Sequence, residues 1–192
     1  SLMAPRLLAY PVLEMGTPEQ QAQLLPAFAG ESFHAGSSAL VEPRYDFDVF
    51  SLSTTAKSDN DAYVLNGSKC FVPLANDASH ILVYARTGDT EGYDSIDAFI
   101  VPRDTPGLTV GDREKNMGIQ ALATHQITLE NCRIPAANRL GGANGCDIAK
   151  LMNYSQVGLA SLAVGVARSA FEYARDYAKD RRAFGVAIAQ KQ

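Results

Sequence analysis

The side chains that could do chemistry are few in this sequence, and they are scattered along it. His34, His80 and His125 lie far apart in the chain and form no metal-ligand spacing. No Walker loop, G-x-G-x-x-G, G-x-S-x-G or H-E-x-x-H motif is present. We therefore expect no metal site, and the residues taken singly identify no catalytic nucleophile or base.

The cysteines point to a structural role. Cys70, Cys132 and Cys146 are odd in number and include no C-x-x-C pair, so neither a disulfide framework nor a zinc site is predicted. Arg133 beside Cys132 could lower the pKa of that thiol, but a lone thiol before Ile134 is more typical of a structural position. We expect free, partly buried thiols in a reducing compartment.

Two adjacent arginines, Arg181 and Arg182, follow a long helical pattern and allow two interpretations. Guanidinium groups bind phosphate well, so the pair could hold a phosphorylated ligand. Alternatively, the two cations complement the helix dipole at an ordinary solvated C-terminus. The residues alone favour the second interpretation.

Three zones of different periodicity must position these side chains. Residues 5–29 have a helical pattern with a capping box, in which Thr17 is the N-cap, Pro18 the first helical residue and Gln20 the reciprocal partner. Residues 32–135 predict short strands. These are 49–56, 62–65, 68–72, 81–85, 98–101 and 127–129, with a turn at 58–61 and a two-residue hairpin turn at Asn66-Gly67.

A long helix is predicted in the third zone, over residues 144–182. Apolar residues recur there at spacings of three and four, and small residues leave room for neighbouring helices to approach closely. Because the helix is apolar nearly all round for three turns, it needs partners that residues 183–192 cannot provide. We therefore expect a chain that is cut short at its C-terminus and a protein that forms homo-oligomers.

The composition excludes several classes of protein. The formal net charge is −4 and 46% of the residues are hydrophobic, which argues against disorder and against a nucleic-acid partner. No stretch is long and apolar enough for a membrane span, and the first residues show no secretory signal pattern, so a cytoplasmic location is expected. The fold class is predicted as α+β. An antiparallel β-sandwich or barrel at residues 32–142 is flanked by short helices at 1–31 and by the start of a helical bundle at 143–192.

The order of short segments along the chain is more distinctive than any single residue. The segments are GTPEQQ at 16–21, LVEP at 40–43, LNGSK at 65–69, MGI at 117–119, RIP at 133–135, LG at 140–141 and RRAFG at 181–185. In this order the sequence resembles the acyl-CoA dehydrogenase family across almost the whole chain. It would cover the end of the N-terminal helical domain, the whole middle β-domain and the first helix of the C-terminal bundle.

The resemblance implies a flavoprotein that oxidises an acyl-CoA thioester to the 2,3-enoyl-CoA and passes electrons to an electron-transfer flavoprotein. FAD would lie between the β-domain and the bundle, with its adenine end reaching a second subunit. Arg181 would contact the pyrophosphate, while Phe184 and Gln192 would line the adenosine end. The family's catalytic carboxylate lies in most members in a segment that this chain does not contain. No catalytic residue is therefore assigned, and the fragment alone is expected to be inactive.

The chain departs from the family pattern at the positions that resemble its cofactor and substrate contacts. Val41, next to Leu40 in the predicted cofactor site, stands where a threonine hydroxyl normally meets the flavin. Phe47 stands where a serine lies near the FAD phosphates and the pantetheine. Phe71-Val72-Pro73 replaces a Trp-Ile-Thr or Trp-Ile-Ser motif, so an aromatic residue persists while a hydroxyl and a backbone donor are lost. The positions that match the family's substrate contacts are Ser155, Gln156 and, again, Phe47.

Three functions remain open from the sequence. In the first, the protein to which this chain belongs is a true dehydrogenase whose flavin contacts come from backbone groups. In the second, it is a flavin-poor subunit that pairs with an active homologue. In the third, it is a binding and assembly module without flavin.

Overall fold

A computed structural model describes residues 5–191 and divides the chain into two compact units, Ser1–Ile148 and Ala149–Gln192. Gln192, which the resemblance assigns to the cofactor site, and residues 1–4 lie outside the described part. Each unit is described by itself below. The division into domains at residues 31 and 142 stays a prediction.

The first unit begins with two helices, α1 (Arg6–Met15) and α2 (Pro18–Phe28). The predicted capping box is confirmed: the Gln20 N–H donates to Thr17 Oγ1 at 3.3 Å, and the Thr17 N–H donates to Gln20 Oε1 at 3.0 Å. The Gln20 amide also donates to the carbonyls of Ala137 and Arg139, both at 2.8 Å. The cap therefore attaches α2 to the segment that follows the last long strand.

Seven strands form the body of this unit. They are β1 (Ser37–Ala39), β2 (Thr55–Asp59), β3 (Ala62–Pro73), β4 (His80–Arg86), β5 (Ile96–Pro102), β6 (Leu108–Arg113) and β7 (Thr124–Pro135). Short 3₁₀ turns lie at Tyr93–Ser95, Ala136–Asn138 and Gly142–Asn144.

The strands make one curled sheet, a half-barrel, in the order β1-β4-β2-β3-β7-β6, with β5 paired to β4. Most pairs are antiparallel, as predicted, but β4 pairs in parallel with β1 and, at Thr55, with β2. The two longest strands, β3 and β7, run antiparallel over most of their length and form the spine of the sheet. The predicted α+β class is confirmed, and the sheet is mixed.

The hydrophobic core is built from side chains of β3 and β7 together with those of β4 and β5. Its largest fully buried apolar side chains include Leu65, Ile81, Phe99, Ile127 and Ile134. The predicted strands at 81–85, 98–101 and 127–129 all fall inside β4, β5 and β7. The runs in β4 and β5 are apolar and buried on both faces, whereas the run in β7 alternates, with Ile127 and Leu129 buried and Thr128 half-buried. Both patterns are typical of strands.

The predicted hairpin turn at Asn66-Gly67 is wrong, because both residues lie inside β3. The chain reverses instead at Asn60, which has a φ of 55° and lies between β2 and β3. Asn66-Gly67 marks an irregularity in the register with β7, where Asn66 Oδ1 accepts from the Asn131 N–H at 2.8 Å. Gly67 is needed for close approach: a Cβ there would lie 2.5 Å from Thr54 Oγ1.

The predicted strand at residues 49–56 is also wrong over most of its length, since only Thr55 and Ala56 belong to β2. Residues 49–51 form a turn in which the Phe50 N–H donates to Asp48 Oδ1 at 2.9 Å and the Ser51 N–H donates to the Asp48 carbonyl at 3.1 Å. Local hydrogen bonds from an aspartate override the β propensity of the neighbouring residues.

The second unit consists of most of the helix α3 (Ile148–Asp180), a short hairpin of β8 (Arg182–Ala183) and β9 (Val186–Ala187), and a 3₁₀ turn at Ile188–Gln190. The helix confirms the prediction for residues 144–182 with slightly shorter ends. Apolar side chains such as Val157, Leu162, Val166 and Phe171 are exposed along it. Within residues 5–191 no helix, α3 included, combines the length and apolar character needed to cross a membrane.

Gly67→Ala tests the close approach between β3 and the residues before β2. We expect a loss of about 1–3 kcal/mol in the free energy of unfolding, because the new Cβ would meet Thr54 Oγ1 at 2.5 Å and its Cα at 2.7 Å. Chemical denaturation measures this, with Gly30→Ala as control because a Cβ there meets nothing within 4 Å. Equal stability of the two variants would contradict the close approach.

Candidate cofactor site

A buried ion pair lies where β1 ends beside β3. The Lys69 ammonium is fully buried and donates to Glu42 Oε1 and to the Leu40 carbonyl, each at 3.0 Å. The Glu42 carboxylate also accepts the N–H groups of Ser53 and Thr54, both at 2.8 Å. One charge pair therefore fixes three separate stretches of backbone against each other.

This environment shifts the pKa of both partners. Burial acts to raise the pKa of Glu42, but the Lys69 charge and the N–H groups of Thr54 and Ser53 outweigh it and bring the pKa to about 2. Burial lowers the pKa of Lys69 to about 8 despite the attraction of Glu42. Glu42 is thus charged at neutral pH, and Lys69 keeps its proton there because its partner is charged.

A β-bulge lies directly after Lys69. The register of β3 and β7 passes from Lys69 opposite Ile127 to Val72 opposite His125, so Cys70 and Phe71 together face a single residue of β7. The Cys70 N–H donates to the Val41 carbonyl at 2.9 Å. The Phe71 N–H donates to both carboxylate oxygens of Glu114, at 3.1 and 3.2 Å.

Phe71 is displayed at the surface by this bulge. Its φ of 54° is in the left-handed region that bulky residues rarely adopt, and its side chain is 56% exposed. Neighbouring Val41 and Leu40 are half-buried. Strained backbone with an exposed aromatic ring is concentrated at functional sites in proteins, so this surface is the candidate cofactor site.

The structure brings some predicted cofactor residues together and buries others. Leu40, Val41 and Phe71 lie around the ion pair and the bulge. Val72 is fully buried in the core, and Pro73 is also buried, with its carbonyl accepting from Ser37 Oγ at 2.6 Å. The assignment of Val72 and Pro73 to cofactor binding stays a prediction, and their side chains face the protein interior.

Phe47 lies half-buried in the loop between Glu42 and β2. Arg44 holds this loop: its guanidinium donates to the Ser51 carbonyl, and its Nε lies 3.5 Å from Glu42 Oε2. The loop that carries Phe47 is therefore attached to the same ion pair. The assignment of Phe47 to cofactor and substrate contacts stays a prediction.

The other predicted residues lie in the second unit. Ser155 and Gln156 are exposed on α3. Arg181 and Phe184 are exposed at the hairpin after it, where Phe184 has a φ of 55° and Lys191 Nζ lies 4.1 Å from the centre of its ring. The Arg181 N–H donates to the Tyr177 carbonyl at 2.8 Å, so the helix continues to the base of the hairpin.

Two histidines that are distant in sequence meet in the structure. His34 Nε2 and His80 Nδ1 lie 3.3 and 3.1 Å from Ser79 Oγ. Over residues 5–191, however, no three His, Cys, Asp or Glu side chains are grouped so that they could hold a metal ion. The two imidazoles share a hydroxyl as a surface hydrogen-bond cluster.

The cysteines are free thiols, as predicted. Cys70 and Cys132 are buried, and burial raises the pKa of Cys132 to about 11. Burial likewise raises the pKa of half-buried Cys146 to about 11. Arg133 therefore does not activate Cys132, and the structural interpretation of that thiol is the better one.

Comparison with known proteins identifies the family. The model of the acyl-CoA dehydrogenase middle domain matches residues 37–132, and that of the acyl-CoA dehydrogenase C-terminal domain matches residues 144–192. The chain belongs to the acyl-CoA dehydrogenase family. It is 40% identical over 184 residues to an acyl-CoA dehydrogenase of Bacillus subtilis, covering 95% of this chain and 48% of that protein.

Other relatives of the family agree in sequence and in fold. The mitochondrial short-chain specific acyl-CoA dehydrogenase of Sus scrofa is 39% identical, over 95% of this chain and 44% of that protein. Butyryl-CoA dehydrogenase from Megasphaera elsdenii superposes with a TM-score of 0.84 at 33% identity, over 98% of this chain and 50% of that chain. A glutaryl-CoA dehydrogenase from Mycobacterium smegmatis, solved in complex with FADH2, superposes with a TM-score of 0.82 at 29% identity, over 97% and 47%. The chain thus spans about half the length of the relatives it matches.

The residues of the candidate site fit a face of the flat ring system of FAD, the family's cofactor. An exposed aromatic ring beside half-buried Val41 and Leu40 offers a stacking face. This surface offers the cofactor few hydrogen-bond donors, because the N–H groups of Cys70 and Phe71 are bonded within the protein and Pro73 has no N–H. The exposed guanidinium of Arg181, in the second unit, suits a phosphate.

The signals that sequence reasoning missed are Glu42, Lys69 and Glu114. Both members of the pair lie in the segments that carry the family resemblance, LVEP and LNGSK, but their partnership spans 27 positions of the chain. Glu114 reaches Phe71 over 43 positions. The opposite charges of Glu42 and Lys69 are the one signal in the sequence, and nothing in their spacing pairs them.

Acidification tests the Glu42 shift. Because the pKa of Glu42 is about 2 in the folded protein against an ordinary 4.5, its contribution is present above about pH 4.5 and is lost as pH falls towards 2. The shift corresponds to about 3 kcal/mol of unfolding free energy. Urea unfolding between pH 6 and 2 should be less pH-dependent in Glu42→Gln than in the wild type. Parallel pH profiles would contradict this assignment.

Replacing one or both partners tests the pairing itself. Glu42→Gln should cost about 3–5 kcal/mol of unfolding free energy, because it leaves the fully buried Lys69 ammonium without its counter-charge. Adding Lys69→Met should recover a large part of that loss, because the uncompensated charge is then gone. Chemical denaturation at pH 7 gives both values. A double variant less stable than the single one would show that the two residues do not act as a pair.

Proposed function

We propose that this chain is part of an FAD-dependent acyl-CoA dehydrogenase, which oxidises an acyl-CoA thioester to the 2,3-enoyl-CoA. The observation that carries the proposal is the strained, exposed Phe71 next to Val41 at the bulge of β3. The comparisons support it, because the similar proteins are themselves named as short-chain, butyryl-CoA and glutaryl-CoA dehydrogenases. The acyl group accepted by this protein is not assigned.

When bound, FAD would supply the hydride acceptor of the reaction. In this proposal Phe71 stacks against the ring system and, with Leu40 and Val41, excludes water from that face. Val72 and Pro73 support the face from the core. Phe47 lies on the loop fixed by Arg44 and contacts the cofactor phosphates and the pantetheine of the substrate.

The second unit would serve the other end of the cofactor and the substrate. Arg181 holds the pyrophosphate of FAD in a neighbouring subunit, while Phe184 and Gln192 line its adenosine. Ser155 and Gln156 on α3 face the acyl-CoA. This division of roles requires a homo-oligomer, either a dimer or a tetramer, or a paired homologous subunit. No catalytic base is assigned within the chain.

The wider setting follows from the same proposal. Electrons would leave to an electron-transfer flavoprotein. A solved structure of such a flavoprotein, from Acidaminococcus fermentans, is among the structures that superpose on this chain. A cytoplasmic location and the absence of a nucleic-acid partner remain predictions.

A flavin-poor subunit of the same fold is the second candidate. The shortage of free hydrogen-bond donors for flavin favours this candidate. Val41 has no hydroxyl, Pro73 has no N–H, and the Phe71 N–H is already bonded to Glu114. Such a subunit would pair with a flavin-bearing homologue. A binding or assembly module without flavin would show the same deficits.

The absorbance of the purified full-length protein distinguishes these candidates. We expect flavin bands in the spectrum of the wild type. In Arg181→Ala we expect the affinity for FAD to fall about tenfold, because one charge-assisted contact to phosphate is removed. Arg168→Ala is the control, since Arg168 is exposed on α3 and pairs with Glu172 at 2.9 Å. A wild-type protein that stays colourless after addition of FAD would contradict the dehydrogenase proposal. Unchanged flavin retention in Arg181→Ala would contradict the pyrophosphate assignment alone.

A further inference from the structure

The hydrogen bonds at the β3 bulge point in two directions. At a bulge one residue leaves the ladder, so its N–H must find another acceptor. The Cys70 N–H turns to the Val41 carbonyl at 2.9 Å, while the Phe71 N–H turns to the Glu114 carboxylate at 3.1 and 3.2 Å. These bonds satisfy both N–H groups of the bulge and so stabilise its conformation.

Glu114 is itself firmly placed. Its N–H donates to the Thr124 carbonyl at 2.9 Å, immediately after β6 and at the start of β7. Asn116 Nδ2 donates to Thr124 Oγ1 at 2.8 Å, and the Leu74 N–H donates to the Ala123 carbonyl at 2.8 Å. The carboxylate thus reaches Phe71 from a backbone that is tied to both neighbouring strands.

The conformation of Phe71 requires such a partner. A phenylalanine with a φ of 54° has an unfavourable backbone that persists only where the surroundings determine it. The Glu114 carboxylate accepts the N–H with both oxygens, and hydrogen bonds to a charged acceptor are stronger than those to a neutral one. Without it, Phe71 can relax to an ordinary extended conformation and turn its ring away.

We propose that Glu114 is a positioning residue that holds the Phe71 ring at the cofactor-facing surface. The inference rests on the proposed function, since it assigns a purpose to the exposed ring of the same site. Glu114 touches neither the substrate nor the cofactor rings in this proposal. It acts through its hydrogen bonds with the backbone N–H of Phe71.

The test uses the full-length protein with 4-fluorophenylalanine incorporated at position 71, which gives one ¹⁹F resonance. Glu114→Ala removes the acceptor, Glu114→Gln keeps one acceptor oxygen at a similar reach, and Glu130→Ala is the control, an exposed glutamate on β7. The ¹⁹F spectrum is recorded before and after addition of FAD. The dissociation constant for FAD is measured by flavin fluorescence, and circular dichroism reports whether each variant is folded.

We expect Glu114→Ala to shift or broaden the ¹⁹F resonance in the FAD-free protein and to weaken FAD binding by about tenfold. Glu114→Gln keeps a neutral acceptor, so its spectrum and its affinity for FAD should lie between those of Glu114→Ala and the wild type, and Glu130→Ala should alter neither. A resonance unchanged by Glu114→Ala would overturn the proposal. If Glu114→Ala fails to fold, Glu114→Leu takes its place, because it keeps a side chain of similar size and also removes the acceptor. A ¹⁹F resonance identical to that of the wild type in Glu114→Leu would then overturn the proposal.

Failure of the proposed function has a different signature. If FAD leaves the wild-type ¹⁹F resonance unmoved, the cofactor does not lie against Phe71, and the positioning role falls together with the proposed site. If FAD moves the wild-type resonance but Glu114→Ala binds FAD as tightly as the wild type, only the role of Glu114 is overturned.

Discussion

The buried charge pair between Glu42 and Lys69 is the interaction on which the rest of the β-domain depends. Two charges removed from water are stable only when each finds its full set of partners. Here the carboxylate takes two backbone N–H groups, and the ammonium takes the Leu40 carbonyl in addition to its counter-charge. The end of β1, the approach to β2 and the middle of β3 are therefore held at one point. No apolar contact could fix three irregular backbone segments with the same directionality.

Irregular backbone next to this pair is what makes a surface available. In a regular central strand every backbone N–H pairs with a neighbouring strand and alternate side chains are buried. In β3 the bulge that follows Lys69 releases Cys70 and Phe71 from the ladder and turns Phe71 outward. The second irregularity, at Asn66-Gly67, brings the strand close to Thr54, beside the Glu42 carboxylate. The pair and the two irregularities thus form one structural unit.

The elements specified by local chemistry could be predicted from the sequence, and those specified by distant contacts could not. The capping box of α2, the long helix α3, the apolar strands β4 and β5 and the alternating run 127–129 of β7 each follow from neighbouring residues. The hairpin prediction at Asn66-Gly67 was wrong because these typical turn residues form an irregularity inside β3. The strand prediction for residues 49–54 was wrong because Asp48 closes a local turn there. In the candidate site, Leu40, Val41 and Phe71 were identified by family resemblance. Glu114 was missed, because its contact with Phe71 depends on how β6 and β7 lie against β3.

The altered motifs acquire a physical meaning from this geometry. With the N–H groups of Cys70 and Phe71 engaged and no hydroxyl at Val41, this face can offer a ring system shape and dispersion but little directional bonding. Dispersion against one aromatic ring fixes a plane and leaves rotation within that plane free. Orientation of a bound ring system must therefore come from contacts elsewhere, such as a phosphate held by a guanidinium or groups of a neighbouring subunit. In the proposed function, retention of the cofactor would therefore depend on Arg181 and on assembly as well as on stacking against Phe71.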